Sequence, residues 1–125
     1  MATKNGIVKK IELKYFSNPR VSGVRAINLP PDNSDSLIGV EILLQGQEIL
    51  LATRKGQAIR FDSKDVRPMG RASYGVTGIK LDKNDEVVSL EVLDKKATIL
   101  TISEKGYGKR SNIDDERLFA FMFHK

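Results

Sequence analysis

Covalent and general acid–base catalysis draw on a short list of side chains, and this sequence supplies few of them. It has no cysteine, which excludes thiolate nucleophiles, thiolate metal sites and disulfides. Its only histidine, His124, stands at the extreme end, so a Ser-His-acid arrangement would require an ordered terminus. Asp114-Asp115-Glu116 has the composition to hold a divalent ion but reads first as a solvated turn. Gly106-Tyr107-Gly108-Lys109-Arg110 has the glycines of a phosphate loop without its spacing, its Ser/Thr or a following helix. No dinucleotide fingerprint occurs. The expectation is a chain that is not an enzyme on its own, with no metal site and no cofactor.

The chemistry that is present is cationic. Between Ala52 and Leu81 there are seven Lys/Arg (Arg54, Lys55, Arg60, Lys64, Arg67, Arg71, Lys80) against two acids, Asp62 and Asp65; this local +5 equals the net charge of the whole chain. Guanidinium forks chelate phosphate oxygens, and glycines such as Gly70 and Gly75 would let a backbone approach a polyanion closely. Lys4, Lys9, Lys10 and Arg25 extend the set into the first half of the chain. The competing reading for Arg67 and Arg71 is a structural ion pair with Asp62 or Asp65. Nothing suggests readout of base edges, so binding through these groups should depend on salt and tolerate sequence.

These residues recur in a repeat. Ala2–Lys10 aligns with Ala52–Arg60 and with Ile102–Arg110, placing Gly6, Gly56 and Gly106 fifty residues apart. Leu37–Leu43 matches Val87–Leu93 at the same spacing, and Val24–Leu29 matches Val76–Leu81 at 52, the longer loop Pro30–Ser36 absorbing the difference. The expected units are residues 1–51, residues 52–101 and a partial third, residues 102–125. Charge follows the repeat: residues 2–29 carry +5, residues 30–51 four acids and no base, residues 52–81 +5 and residues 82–101 −2. Side-by-side units would join their basic parts into one stripe, the footprint of a polyanion-binding edge.

The elements that must position these charges read as strands. Ile49–Thr53 and Ala58–Phe61 are short β-rich runs joined by Arg54-Lys55-Gly56, where Gly56 supplies the positive φ of a tight turn; the first copy has Asn5-Gly6 there. Val76–Leu81 and Val87–Leu93 are two further strands joined by the polar turn Asp82–Glu86. In the latter, alternation predicts that Val88, Leu90 and Val92 face inward. No window has a helical period with caps. Four short strands per unit of 50 residues predict an all-β, propeller-like architecture. The apolar tail Leu118–Phe123 departs from the repeat and has no functional reading.

Asp65-Val66-Arg67-Pro68-Met69-Gly70-Arg71 followed by Gly75-Val76-Thr77-Gly78-Ile79-Lys80-Leu81 resembles the repeat of the DNA gyrase A C-terminal domain, which topoisomerase IV shares in its A-type subunit. Ala52–Phe61, Val87–Leu93 and Gly106–Arg110 resemble the family at the expected places, so the resemblance covers roughly residues 2–110. It implies blades of a six-bladed β-pinwheel whose basic rim bends and wraps double-stranded DNA, with the remaining gyrase A and B-type subunits for partners. Six such units need about 300 residues, so this chain forms an incomplete ring. The family's Gly- and Arg-rich box is not found, and Ser17–Gly23 replaces the Arg-Met-Gly-Arg-like run in the first copy. The breakage domain with its active tyrosine is absent, so Tyr15, Tyr74 and Tyr107 inherit no catalytic role and read as packing or rim residues.

Composition agrees with this class. The chain has 125 residues, 40% hydrophobic and 30% charged, with a pI near 9.5. Those values fit a soluble globular protein with an anionic partner. No apolar run approaches the roughly 18 residues of a membrane span, and Met1–Lys10 is unlike a signal sequence. The absence of cysteine suits a reducing cytoplasm. The alternative function is protein interaction or self-association through the open blade edges of an incomplete ring.

Overall fold

The computed structural model describes residues 1–114. The regular elements there are nine β-strands and two 3-10 turns, Leu13–Phe16 and Ser63–Asp65. The apolar tail, His124 and Asp115-Glu116 of the acidic run lie outside the described residues.

Each copy of the repeat begins with a hairpin: β1 (Ala2–Thr3) with β2 (Ile7–Val8), β4 (Glu48–Thr53) with β5 (Ala58–Asp62), and β8 (Thr98–Ile102) with β9 (Gly108–Asn112). The expected positive φ is present at Gly6, Gly56 and Gly106, at 82°, 88° and 85°. A hydroxyl closes every turn. Thr3 accepts from the Ile7 amide at 3.2 Å, Thr53 from Gln57 at 3.1 Å and Ser103 from Tyr107 at 3.2 Å.

β3 (Leu37–Gly39) and β7 (Val87–Leu93) lie antiparallel to the first strand of the first and second hairpins. Both pairings contain a bulge at the same repeat position. Register passes from Ala2↔Gly39 to Thr3↔Leu37 around Ile38, and from Ala52↔Ser89 to Thr53↔Val87 around Val88. The bulge corrects the alternation expected for β7. Val88 is the extra residue and is pushed outward to 51% exposure, while Val87 turns inward at 1%.

β6 (Val76–Thr77) crosses to the first hairpin, giving a sheet of order β3-β1-β2-β6 built from both copies. It is shorter than the expected Val76–Leu81 because the Gly78 and Ile79 amides both turn onto the Gly6 carbonyl, at 2.8 and 3.3 Å. The second sheet has the order β5-β4-β7 and the third is β8-β9. Among the described residues the sheets stay open and do not close into a ring.

The core lies between the first two sheets. Ala2, Val8, Ile49, Leu51, Val66, Ile79 and Val87 form one cluster, with Leu51 and Val87 essentially inaccessible. Burying aliphatic side chains of this size contributes about 1.5–3 kcal/mol each. A smaller cluster of Leu50, Leu93 and Ile113 joins the third hairpin to the second sheet. The hairpins therefore have fixed relative positions, and so do the basic residues at their ends.

Candidate nucleic-acid interface

The predicted basic residues fall into three physical situations. Lys4, Arg54 and Lys55 sit at the hairpin tips and are exposed, but their charges already have partners. Lys4 pairs with Glu86 at 2.7 Å, Arg54 pairs with the same carboxylate, and the Lys55 ammonium donates to the Lys83 carbonyl at 2.5 Å. The hydrogen bond from Lys4, with the nearby charges of Arg54 and Lys4, holds the Glu86 carboxyl below its usual range. Lys80 is exposed next to Ile79, which bonds the Gly6 turn.

Lys9, Lys10 and Arg60 face the protein. Lys9 is 2% exposed, and burial pushes its ammonium pKa down. Its three donors are all used, on the carbonyls of Ala26 at 2.9 Å, Arg71 at 2.7 Å and Ser73 at 2.6 Å. Lys10 donates to the Ser63 carbonyl at 2.6 Å. Arg60 is clasped by Glu48, with its Nε at 3.0 Å and Nη2 at 2.5 Å from one carboxylate oxygen, and donates to the Ile113 carbonyl at 2.9 Å. These three residues, expected among the phosphate contacts, tie successive parts of the fold together. Lys9 spends all three donors on carbonyls, Arg60 is held by Glu48 and Ile113, and Lys10 spends one donor on Ser63.

Arg25, Lys64, Arg67 and Arg71 are exposed in the loops flanking the hairpins. Lys64 lies 3.9 Å from Asp62, while Asp62 itself caps the Lys64 amide at 2.8 Å. Among the described residues Arg67 and Arg71 pair with neither Asp62 nor Asp65, so the ion-pair reading of these two arginines is not realised. Arg25 donates to Asn28, at 3.1 Å. Arg25 and Arg71, from successive copies, line one surface depression with Tyr15, Asn28, Gly70 and Ala72. Behind it the buried Lys9 ammonium holds the carbonyls of both Ala26 and Arg71. The two guanidinium-bearing loops are thus fixed to each other through a shared internal cation.

The glycines divide in the same way. Gly75 is at φ +131°, and a Cβ there would stand 2.6 Å from the Val8 carbonyl oxygen, so its lack of a side chain serves packing against β2. Gly70 has open space around it and borders the depression. Its backbone remains accessible to a ligand.

A second link between copies is polar. Tyr74 donates its phenol to Asp35 Oδ2 at 2.5 Å, while Asp35 Oδ1 accepts from the amides of Asn5 at 2.9 Å and Ser36 at 2.8 Å. The bond to Asp35 pushes the Tyr74 pKa up to about 12. Burial works to raise the Asp35 carboxyl, but hydrogen bonds from Thr3, Tyr74, Asn5 and Ser36 outweigh it and leave it lowered.

The comparison that decides the family is a model described as "DNA gyrase C-terminal domain, beta-propeller", which matches residues 1–43, 47–94 and 97–115. The chain belongs to this family. Similar proteins include the DNA gyrase A protein of Chlamydia pneumoniae, 41% identical over 119 residues, covering 94% of this chain and 14% of that protein. The DNA gyrase A protein of Buchnera aphidicola is 48% identical over 115 residues, 92% of this chain and 13% of its own length. Among solved structures, the C-terminal domain of DNA topoisomerase IV superposes with a TM-score of 0.80 at 32% identity, covering 90% of this chain and 35% of that one. A DNA gyrase A C-terminal domain gives 0.77 at 32% identity over 90% and 36%. The chain spans about a seventh of the length of the curated relatives it matches.

For this gyrase C-terminal-type fold, sequence reasoning missed the Asp35–Tyr74 bond and the inward turn of Lys9. One signal for Lys9 was available. The second copy has Ile59 at the same position, and a site that takes Ile in one copy faces inward in the other. Tyr15, read as a packing or rim residue, is exposed beside Arg25 and Arg71. Among the described residues no cluster of His, Cys, Asp or Glu has the arrangement of a metal site.

Proposed function

We propose that the chain binds the phosphate backbone of double-stranded DNA without regard to base sequence, as a non-catalytic part of a type IIA topoisomerase. The observation that carries this reading is the meeting of Arg25 and Arg71, from successive repeat copies, at one exposed depression with no acid among its lining residues. Arg67 and Lys64 border it in sequence, and Gly70 leaves the backbone accessible. Lys80 and the tip residues Lys4, Arg54 and Lys55 add to the positive field, with the tip charges partly neutralised by Glu86. Lys9, Lys10 and Arg60 hold the loops in place.

In this reading residues 1–51, 52–101 and 102–125 are successive blade units of a DNA-bending rim. The remaining gyrase A- and B-type subunits convert the bend into supercoiling, in the cytoplasm. Among the described residues no helix is long and apolar enough to cross a membrane. Ligating nicked plasmid in the presence of the protein separates binding from wrapping. A change in linking number that grows with protein supports wrapping by this chain. Binding without such a change leaves only the phosphate contacts, and no binding to duplex contradicts the proposal.

Association through strand edges is the second reading. The exposed Leu100 and Ile102 of β8 favour it, as does the outer edge of β5, which no strand among the described residues covers.

A further inference from the structure

The carboxylate of Glu86 is held between two cations from successive copies, one on each oxygen. Lys4 Nζ lies 2.7 Å from Oε2, and a guanidinium nitrogen of Arg54 meets Oε1. Lys4 and Arg54 occupy the same position of the repeat, fifty residues apart. Their side chains are 48% and 70% exposed, against 18% for Glu86, so both cations remain approachable from solvent. The hydrogen bond from Lys4 and the nearby charges of Arg54 and Lys4 keep the Glu86 carboxyl below its usual range, which makes it a full anion at neutral pH.

The fold does not require an acid at this position. Main-chain bonds already set the two cations side by side: the Arg54 amide donates to the Glu86 carbonyl at 2.9 Å and the Val87 amide to the Lys4 carbonyl at 2.8 Å. In the first copy Ser36 stands fifty residues before Glu86, and its carbonyl takes the Lys4 amide at 2.8 Å, the same bond without a charge. The neighbouring acid, Asp85, is committed to the amides of Lys55 at 3.0 Å and Glu86 at 2.9 Å. What the Glu86 side chain adds is therefore a negative charge that bridges two cations the backbone holds together. A phosphodiester offers the same pattern, two anionic oxygens for two cationic donors.

We propose that the Lys4–Arg54 pair is a phosphate-binding site kept occupied by Glu86 as an internal anion, with which the backbone of duplex DNA competes. This inference rests on the reading that the chain binds duplex, and it adds a residue that lowers affinity instead of raising it. Ion pairs between exposed side chains are weak, so the carboxylate holds the site without closing it to a phosphate. The junction of the first two hairpin tips then grips DNA less firmly than its count of cations implies. One acid sets the strength of that grip.

The test titrates a duplex of arbitrary sequence with the full chain at several salt concentrations. It compares the parent with Glu86→Gln, with Glu86→Ser, and with Glu91→Gln, a control on β7 that makes the same change in net charge. Both Glu86 variants should bind about fivefold more tightly at low salt. They should also steepen the slope of log affinity against log salt by about 0.9 to 1.8, the value of one to two phosphate contacts. Glu91→Gln should change affinity less than about twofold and leave the slope as it is. In a Lys4→Ala/Arg54→Ala background the gain from Glu86→Gln should disappear. A gain no larger than that of Glu91→Gln, or one that survives the loss of both cations, overturns the proposal and leaves duplex binding by the loop arginines untouched. Failure of the parent and both Glu86 variants alike to bind duplex contradicts the functional reading as well.

Discussion

The Lys10 ammonium donates to the Ser63 carbonyl across 2.6 Å, joining the first repeat copy to the second. Fifty residues on, Arg60 makes the same bond to the Ile113 carbonyl at 2.9 Å. A basic residue at this position is a buckle between neighbouring units. Lys10→Met should cost about 1–3 kcal/mol of stability through a lost charged hydrogen bond, and Arg60→Met more, because it also removes the partner of Glu48. Denaturant melts check this, and duplex affinity of the folded fraction should change less than about threefold.

Lys9 is buried behind the Arg25–Arg71 depression with all three donors occupied. Lys9→Ala leaves three carbonyls without their donor and should destabilise the fold by more than Lys10→Met, on the order of 3 kcal/mol or above. Thermal unfolding measures it. A loss of DNA binding with unchanged stability would instead make Lys9 a phosphate ligand.

Legibility in the sequence followed the range of the interactions. The 50-residue period, the turn glycines and the hairpins are local, and Gly6, Gly56 and Gly106 announced them. The placement of β6 on β2 rests on a pairing two residues long between residues about 70 apart in the chain, and no local pattern encodes it. Val88 shows the same limit, because a one-residue bulge inverts the alternation that strand reading depends on. Basic residues were legible as a set but not by role. Lys10 and Arg60 have the composition of surface charge, and only the geometry shows them bonded to carbonyls of the neighbouring unit.

The Asp35–Tyr74 bond makes stability depend on pH at both ends. Asp35 has a lowered folded pKa, so its contribution is present above the unfolded carboxylate value, about 3.9, and is lost as pH falls through the lower folded value. Tyr74 is raised to about 12. Its contribution is present below the unfolded phenol value, about 10, and disappears as pH rises towards about 12. Tyr74→Phe should cost about 1–3 kcal/mol at neutral pH and abolish the alkaline loss. Urea melts across pH test both.

The two loop glycines should respond oppositely to alanine. Gly75→Ala places a Cβ 2.6 Å from the Val8 carbonyl at φ +131° and should destabilise by more than about 1 kcal/mol. Gly70→Ala meets open space and should stay within about 0.5 kcal/mol. Thermal melts of the two variants side by side decide it.

The central claim is that exposed loop arginines contact phosphate while buried and tied cations do not. The direct measurement is the slope of log affinity against log salt for a duplex of arbitrary sequence, for the parent and for Arg25→Ala/Arg67→Ala/Arg71→Ala. Each phosphate contact adds about 0.9 to the slope on duplex DNA, so the triple variant should lose about 2 to 3 units while Lys10→Met keeps the parent slope. A slope unaffected by the triple change, or lowered as much by Lys10→Met, would contradict the account.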